Sequence, residues 1–288
     1  MAILGAKIQR SNAKNAQAPG APPAYTDGLA ARKHVLPVSV PGLRALRWWS
    51  DELYVGMKEA YTITRVEAGR SSFLTRGKVW SSAPGSLRIQ EPGDVVRDLT
   101  RDGPATYQIV ALPRHTVEGV NGKLCIHAHL AAGDARGSAY QRLHSAVKAG
   151  ASRLALEVAV AEAISAFAAI PSAKCNYTRA VRRAIELLRE RLDDEVTLDA
   201  LADHAATDKF HLCRAFRTQV GLPPHAYLTR LRIMRAKELL AAGVKPSEIA
   251  PRVGLYDQSQ LNRHFQRLVG TTPGAYARAI QHTHSVTL

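Results

Sequence analysis

Residues 196–276 say nearly the same thing twice, and that repetition limits what the chain can fold into more than any other feature. The first copy reads LDALADHAATDKFHLCRAFRTQVGLPPHAY and the second SEIAPRVGLYDQSQLNRHFQRLVGTTPGAY. Leu212 and Leu261, Arg214 and Arg263, Phe216 and Phe265, Gly221 and Gly270, Pro224 and Pro273, and Tyr227 and Tyr276 all pair at one offset. Upstream, Leu201 and Ala202 pair with Ile249 and Ala250 at an offset one residue shorter, so the second copy holds one extra residue in its turn. Each copy reads as a short helix, a tight turn and a longer helix, the helix-turn-helix arrangement.

The longer helix of each copy can be set on a wheel. In the first, Asp208 is placed to cap the N-terminus, and Leu212, Phe216 and Val220 form a buried face opposite Phe210, Arg214 and Arg217. In the second, Asp257 caps, Leu261, Phe265 and Leu268 are inside, and Ser259, Arg263 and Gln266 are outside. Both outer faces carry an arginine two residues after the buried leucine. A helix that reads a DNA groove needs such long donors near its N-terminal half, where they reach the acceptor edge of guanine. Arg214 and Arg263 are therefore expected to read bases, with Phe210, Cys213, Gln258, Ser259, Gln260 and Asn262 beside them. Lys209, Arg217 and Arg267 are better placed for phosphates, which position a protein without specifying sequence. Phe210 has two readings from sequence, an apolar contact with a thymine methyl or packing on the short helix of its own unit.

These residues resemble the AraC/XylS-type transcriptional regulators. That family's DNA-binding domain has two helix-turn-helix units joined by a long helix, the second ending in G-x-x-P-x-x-Y. Here that reads Gly270-Thr271-Thr272-Pro273-Gly274-Ala275-Tyr276, with similar spacing at Gly221-Leu222-Pro223-Pro224. LRIMRAKELLAAG resembles the joining helix, and Gly254-Leu255-Tyr256-Asp257-Gln258-Ser259 resembles the second turn, with Leu255 in place of an aromatic residue. Pro251 sits in the last turn of the short helix and removes one hydrogen bond there. The resemblance implies an N-terminal cupin-like sensing domain, dimerisation through a helical segment and control of transcription.

Composition is compatible with this and decides little. The 288 residues suggest two domains, and the net charge is +15. From Lys174 onward there are 18 basic and 11 acidic residues, against 21 and 13 before it, so charge does not localise a DNA face. Cys125, Cys175 and Cys213 stand far apart with no C-x-x-C, which fits reduced thiols and a cytoplasmic location. The N-terminus lacks a signal-peptide apolar core, and charges at Arg153, Glu157 and Glu162 interrupt the nearest thing to a membrane span.

The expected class is α+β with two domains. Residues 1–28, rich in Ala, Pro, Gly, Asn and Lys, read as a disordered arm. Residues 29–136 break into short apolar or alternating runs: LRALRWW, AYTITRVEAG, SLRIQ, DVVRDLT, ATYQIVAL and KLCIHAHL, with turns at Pro84-Gly85 and Pro92-Gly93. They suggest a β-barrel or sandwich, and VEAGRSSFLTRGKVWSSAPGSLRIQEPGDV resembles the cupin-like sensor. In that pattern a histidine follows the second P-G; here Val96 stands in its place, and Trp48-Trp49-Ser50 replaces an upstream H-x-H. No metal or other cofactor is therefore expected, although Cys125, His127 and His129 share a strand face. Candidate effector-binding residues are Tyr61, Arg65, Trp80, Arg88 and Gln90, on strands whose phase the sequence leaves open.

Residues 137–173 turn helical again, ending in a linker from Pro171 to Lys174, and 174–281 form the DNA-binding domain. Leu156, Val160, Ala163, Phe167 and Ile170 make a short seam suited to pairing helices, either with a second copy or with the chain's own barrel. The expected protein is a non-enzymatic, sequence-specific transcription regulator. It would bind double-stranded DNA, respond to a small molecule in its barrel and form a homodimer. As an activator it would contact RNA polymerase. Two other classes fit less well: a cupin-type enzyme with an appended DNA domain, and a DNA-binding protein with no effector.

Overall fold

Two long strands organise the N-terminal half of the computed structural model, which describes residues 33–112, 117, 127–169 and 176–285. The arm at 1–28, Cys125, Ile170, Cys175 and the linker at 171–174 lie outside the described residues. The strands are β1 (Lys33–Leu36), β2 (Arg44–Ser50), β3 (Val55–Met57), β4 (Tyr61–Thr75), β5 (Lys78–Ser82), β6 (Leu87–Gln90), β7 (Val95–Leu112) and β8 (His129–Leu130). Their order is β1-β2-β7-β4-β6-β8, with β3 added to β7 and β5 to β4, all antiparallel.

DVVRDLT and ATYQIVAL are one bent strand rather than two short ones, and β4 runs on past the glycine that looked like its end. Register shifts between Val66 and Ala68, Ala68 and Arg70, and Ser72 and Phe73 bend the β4–β7 pair without ending it. Gly69 is part of this bend. Its φ is +84°, and an added Cβ would lie 2.6 Å from the Pro104 carbonyl oxygen.

Strand phase is now settled by packing. Ile63, Leu87, Ile89, Val110 and Leu112 face one core, shared with helices α1 (Ser138–Lys148) and α2 (Arg153–Ala169). Thr62, Thr64, Arg88, Gln90, Tyr107 and Ile109 alternate to the other side. Tyr61 and Arg65 thus face the helices, correcting their placement in an effector pocket: Tyr61 packs on Phe167, and Arg65 donates to Gln108 Oε1 at 2.8 Å. Trp80 lies elsewhere again, ringed by His127, His129 and Lys78. Of the five candidates, only Arg88 and Gln90 line the inner cavity. That cavity measures about 20 Å³, room for about one water molecule. Arg88 forms part of its wall, with its guanidinium bound to Asp98, Ser71 and Ser82 and lying 4.1 Å from the Phe73 ring centroid.

The proposed dimer seam is also corrected. Leu156, Val160, Ala163 and Phe167 are buried in the same core as Ile63 and Tyr140, where a second copy cannot reach them. A buried aromatic such as Phe167 contributes about 3–5 kcal/mol against truncation to alanine, which outweighs any weak pairing it would give up.

The C-terminal half is built from α3 (Arg179–Glu190), α4 (Leu198–Ala205), α5 (Lys209–Val220), α6 (Pro224–Ala241), α7 (Pro246–Arg252), α8 (Gln258–Val269) and α9 (Pro273–Ser285). Two cores form here rather than one. Tyr227, Leu228 and Leu231 from the first half of α6 join Leu212 and Phe216 in one; Ile233, Ala236 and Leu240 from its second half join Leu261 and Phe265 in the other. The joining helix is thus apolar on different faces along its length, which gives each unit its own interior.

The sheet enters the first of these cores. Val95 of β7 is buried with Val181, Leu187 and Leu188 of α3, and Met57 packs beside them. Around this contact Asn176 N–H donates to the Arg76 carbonyl at 2.9 Å, Arg189 Nε donates to Tyr227 Oη at 3.2 Å, and Lys237 pairs with Glu59. No helix among the described residues is long and apolar enough to cross a membrane.

Candidate nucleic-acid interface

The two units repeat in detail. α4 ends at Ala206 and α7 leads to Gly254, both in the left-handed region with φ of 54° and 68°. Between these and the caps stand Thr207 in the first unit and Leu255 with Tyr256 in the second, which accounts for the offset of one. Asp208 accepts hydrogen bonds from the backbone N–H of Phe210 and His211, and Asp257 from that of Gln260, so each longer helix begins on a carboxylate cap. Both α5 and α8 have 12 residues and end on a left-handed glycine, Gly221 and Gly270. Each is held by an edge-on aromatic pair, Phe216 on Tyr227 at 5.6 Å and Phe265 on Tyr276 at 5.4 Å.

The opposite faces point into solvent. Arg214, Arg217 and Arg263 are exposed and have no carboxylate partner among the described residues. Gln258, Ser259 and Asn262 are exposed on the first turns of α8. Phe210 is 71% exposed, so packing on its own short helix is ruled out, and the Lys209 ammonium lies 5.9 Å from its ring centroid. The His264 pKa is lowered, first by burial and then by Arg267, Arg263 and Arg232, which shows how positive the potential around α8 is.

Several expected contacts are placed differently. Cys213 is half-buried and lines an internal hollow with Leu188, Leu201 and Leu228, so its thiol faces the domain interior rather than a groove. Gln260 accepts from the Tyr256 N–H at 2.9 Å; its amide oxygen is used to close the turn, close to a capping-box arrangement. Lys209 pairs with Asp199 at 2.9 Å on the surface, a bond weak enough to exchange for a phosphate. Arg267 donates to His264 Nδ1 at 3.1 Å and points towards the sheet. His127 and His129 both flank Trp80, and burial lowers the pKa of each, that of His129 to about 4. No group of three side chains able to hold a metal occurs among the described residues.

One surface residue escaped the sequence reading. Tyr256, 94% exposed, stands at the mouth of the second turn. The offset change between the copies pointed to it, since an inserted residue must either be buried, as Leu255 is, or project outward.

A helix-turn-helix domain family matches residues 201–279, the span of these two units. The C-terminal domain is an AraC-type helix-turn-helix domain. The HTH-type transcriptional regulator YbfI of Bacillus subtilis is 38% identical over 81 residues, covering 28% of this chain and 30% of that protein. LumQ of Photobacterium leiognathi, named as a transcriptional regulator, is 31% identical over 90 residues, covering 31% and 36%. The chain thus spans about a third of the length of these relatives. The solved DNA-binding domain of AdpA, in complex with a target DNA, is 26% identical, covers 37% of this chain and 96% of its own, and superposes with a TM-score of 0.36.

Proposed function

We propose that the protein is a sequence-specific transcription regulator that uses both units of its AraC-type domain to read DNA, under control of a small molecule sensed by residues 29–136. The observation that carries this reading is the equivalence of α5 and α8: same length, same caps, same aromatic anchor, and an unpaired arginine at the same outward position. Arg214 and Arg263 would each read a base, assisted by Phe210, Gln258, Ser259 and Asn262, while Lys209 and Arg217 hold phosphates. The division from the sensing half falls near residue 174. A homodimer would use the outer stripe of α2, where Leu154 and Val158 are exposed, and an activator would also meet RNA polymerase.

Binding-site selection with full-length protein tests this at fixed salt. Two short conserved blocks about one helical turn apart are expected. Arg214→Ala should relax one block and Arg263→Ala the other, each at a cost of about 1–3 kcal/mol. If both variants keep the parental motif and lose only overall affinity, these arginines touch phosphate and the base-reading assignment falls.

A further inference from the structure

The inner cavity is too small for an effector, but a larger hollow adjoins it. Tyr54 and Lys58 line both the inner cavity and a hollow of about 520 Å³ that lies between the sheet and the second helix-turn-helix unit. Lys33, Arg44 and Lys58 approach this hollow from the sheet, and Arg230 of α6 and Arg267 of α8 from the helices. Glu59 is the one acidic residue in the lining, and it is already paired with Lys237. None of the cations has a carboxylate within ion-pair distance among the described residues. Their partners are rings and an imidazole: Lys58 over Tyr54 at 5.1 Å, Lys33 over Trp48 at 6.0 Å, and Arg267 on His264. Converging like charges repel, and half-buried Arg230 has its pKa lowered by burial and by Arg267. Met57, Val55 and Leu268 add apolar wall. A site with several unneutralised donors and an apolar floor has the makeup of a pocket for a charged organic ligand.

We propose that this hollow binds a small organic dianion, a molecule with two carboxylate or phosphate groups on an apolar or aromatic body, and that it is the site through which the effector acts. This rests on reading the chain as an effector-controlled DNA-binding protein. DNA itself is a poorer occupant. Arg267 and Leu268 lie in the last turn of α8, away from Ser259 and Arg263 at its reading end, and of the five cations two belong to the sheet and Lys58 to the turn between β3 and β4. A bound dianion ties the sheet to α6 and α8 together, so its occupancy sets how the second reading helix is held relative to the first, which already shares a core with Val95.

The test uses full-length protein at constant ionic strength with phthalate as probe, pyrophosphate as a polyanion without an apolar body, and benzamide as an uncharged ring. Phthalate should raise the melting temperature saturably, and benzamide should not. Arg44→Gln and Arg230→Gln should each weaken phthalate binding at least tenfold, while Arg136→Gln, a surface cation paired with Asp134, should leave it unchanged. Arg44 is exposed, so that variant tests the site even if Arg230→Gln fails to fold. Saturating phthalate should also change the DNA dissociation constant at least threefold in the parent and not in Arg44→Gln. No saturable shift, a shift with pyrophosphate alone, or equal loss in Arg136→Gln would overturn the site. An unchanged DNA constant would overturn the coupling. If the protein binds phthalate as expected but no DNA, the regulator reading fails and the anion site stands; DNA binding without phthalate binding gives the reverse.

Discussion

Ala206 and Gly254 occupy the same place in the two turns, and only one of them is suited to it. Ala206 is exposed with φ of 54°, where an L side chain costs roughly 1–2 kcal/mol and glycine costs less. Glycine also loses more entropy on folding, so Ala206→Gly should stabilise the protein by a net of about 0.5–1 kcal/mol, read from the denaturant midpoint at unchanged slope. His144 makes the opposite kind of contribution. It is fully buried on α1, and burial, then Arg65, lowers its pKa from 6.5 to about 3. The unfolded chain therefore takes up a proton near pH 6.5 that the folded chain refuses. Its contribution is complete above pH 6.5 and is lost progressively as pH falls towards about 3. His144→Met should flatten that acid limb: between pH 7.5 and 5 the variant should lose about 2 kcal/mol less than the parent in parallel denaturation series.

At the scale of elements, α6 divides the helical half into two interiors, and that division can be tested by truncating one anchor at a time. Phe265→Ala removes a fully buried ring that the first core does not touch, at a cost of about 3–5 kcal/mol. Footprinting should then show the second block lost and the first retained. Phe216→Ala should do more harm, because its core also contains Val95 and the helices that lean on the sheet. A Phe265→Ala protein that loses both blocks together would show that the units fold as one. The sheet has its own division of labour: the two long strands survive their bends because β2, β3, β5 and β6 each pair with a different half of them.

For the whole molecule the decisive contact is Val95, a sheet residue buried in a helical core. Val95→Asp places an unpaired charge there, at a cost of several kcal/mol before any relaxation. The expected result is that one cooperative unfolding transition becomes two, with the sheet and the AraC-type domain melting separately in calorimetry. A single transition, merely shifted, would show that Lys237 with Glu59 and the Asn176–Arg76 bond hold the halves together without it.

Residue order alone determined whatever depends on near neighbours in the chain. The pairing of Leu212 with Leu261, the caps at Asp208 and Asp257, the glycines at 221 and 270, and the turn with one extra residue all follow from steps of three, four or one. Such steps are local, so they are legible without knowing what packs against what. Tertiary structure decided the rest. Tyr61 and Arg88 both sit on strands, but which side each faces depends on the partner strand and its register, and one residue of slip would exchange them. The same 156–167 stripe suits a neighbouring copy or the chain's own barrel; packing of Phe167 on Tyr61 of the sheet and Tyr140 of α1 chose the chain's own core. Lys33, Arg44, Lys58, Arg230 and Arg267 carry no common motif and span most of the chain, so only folding could bring their charges to one hollow.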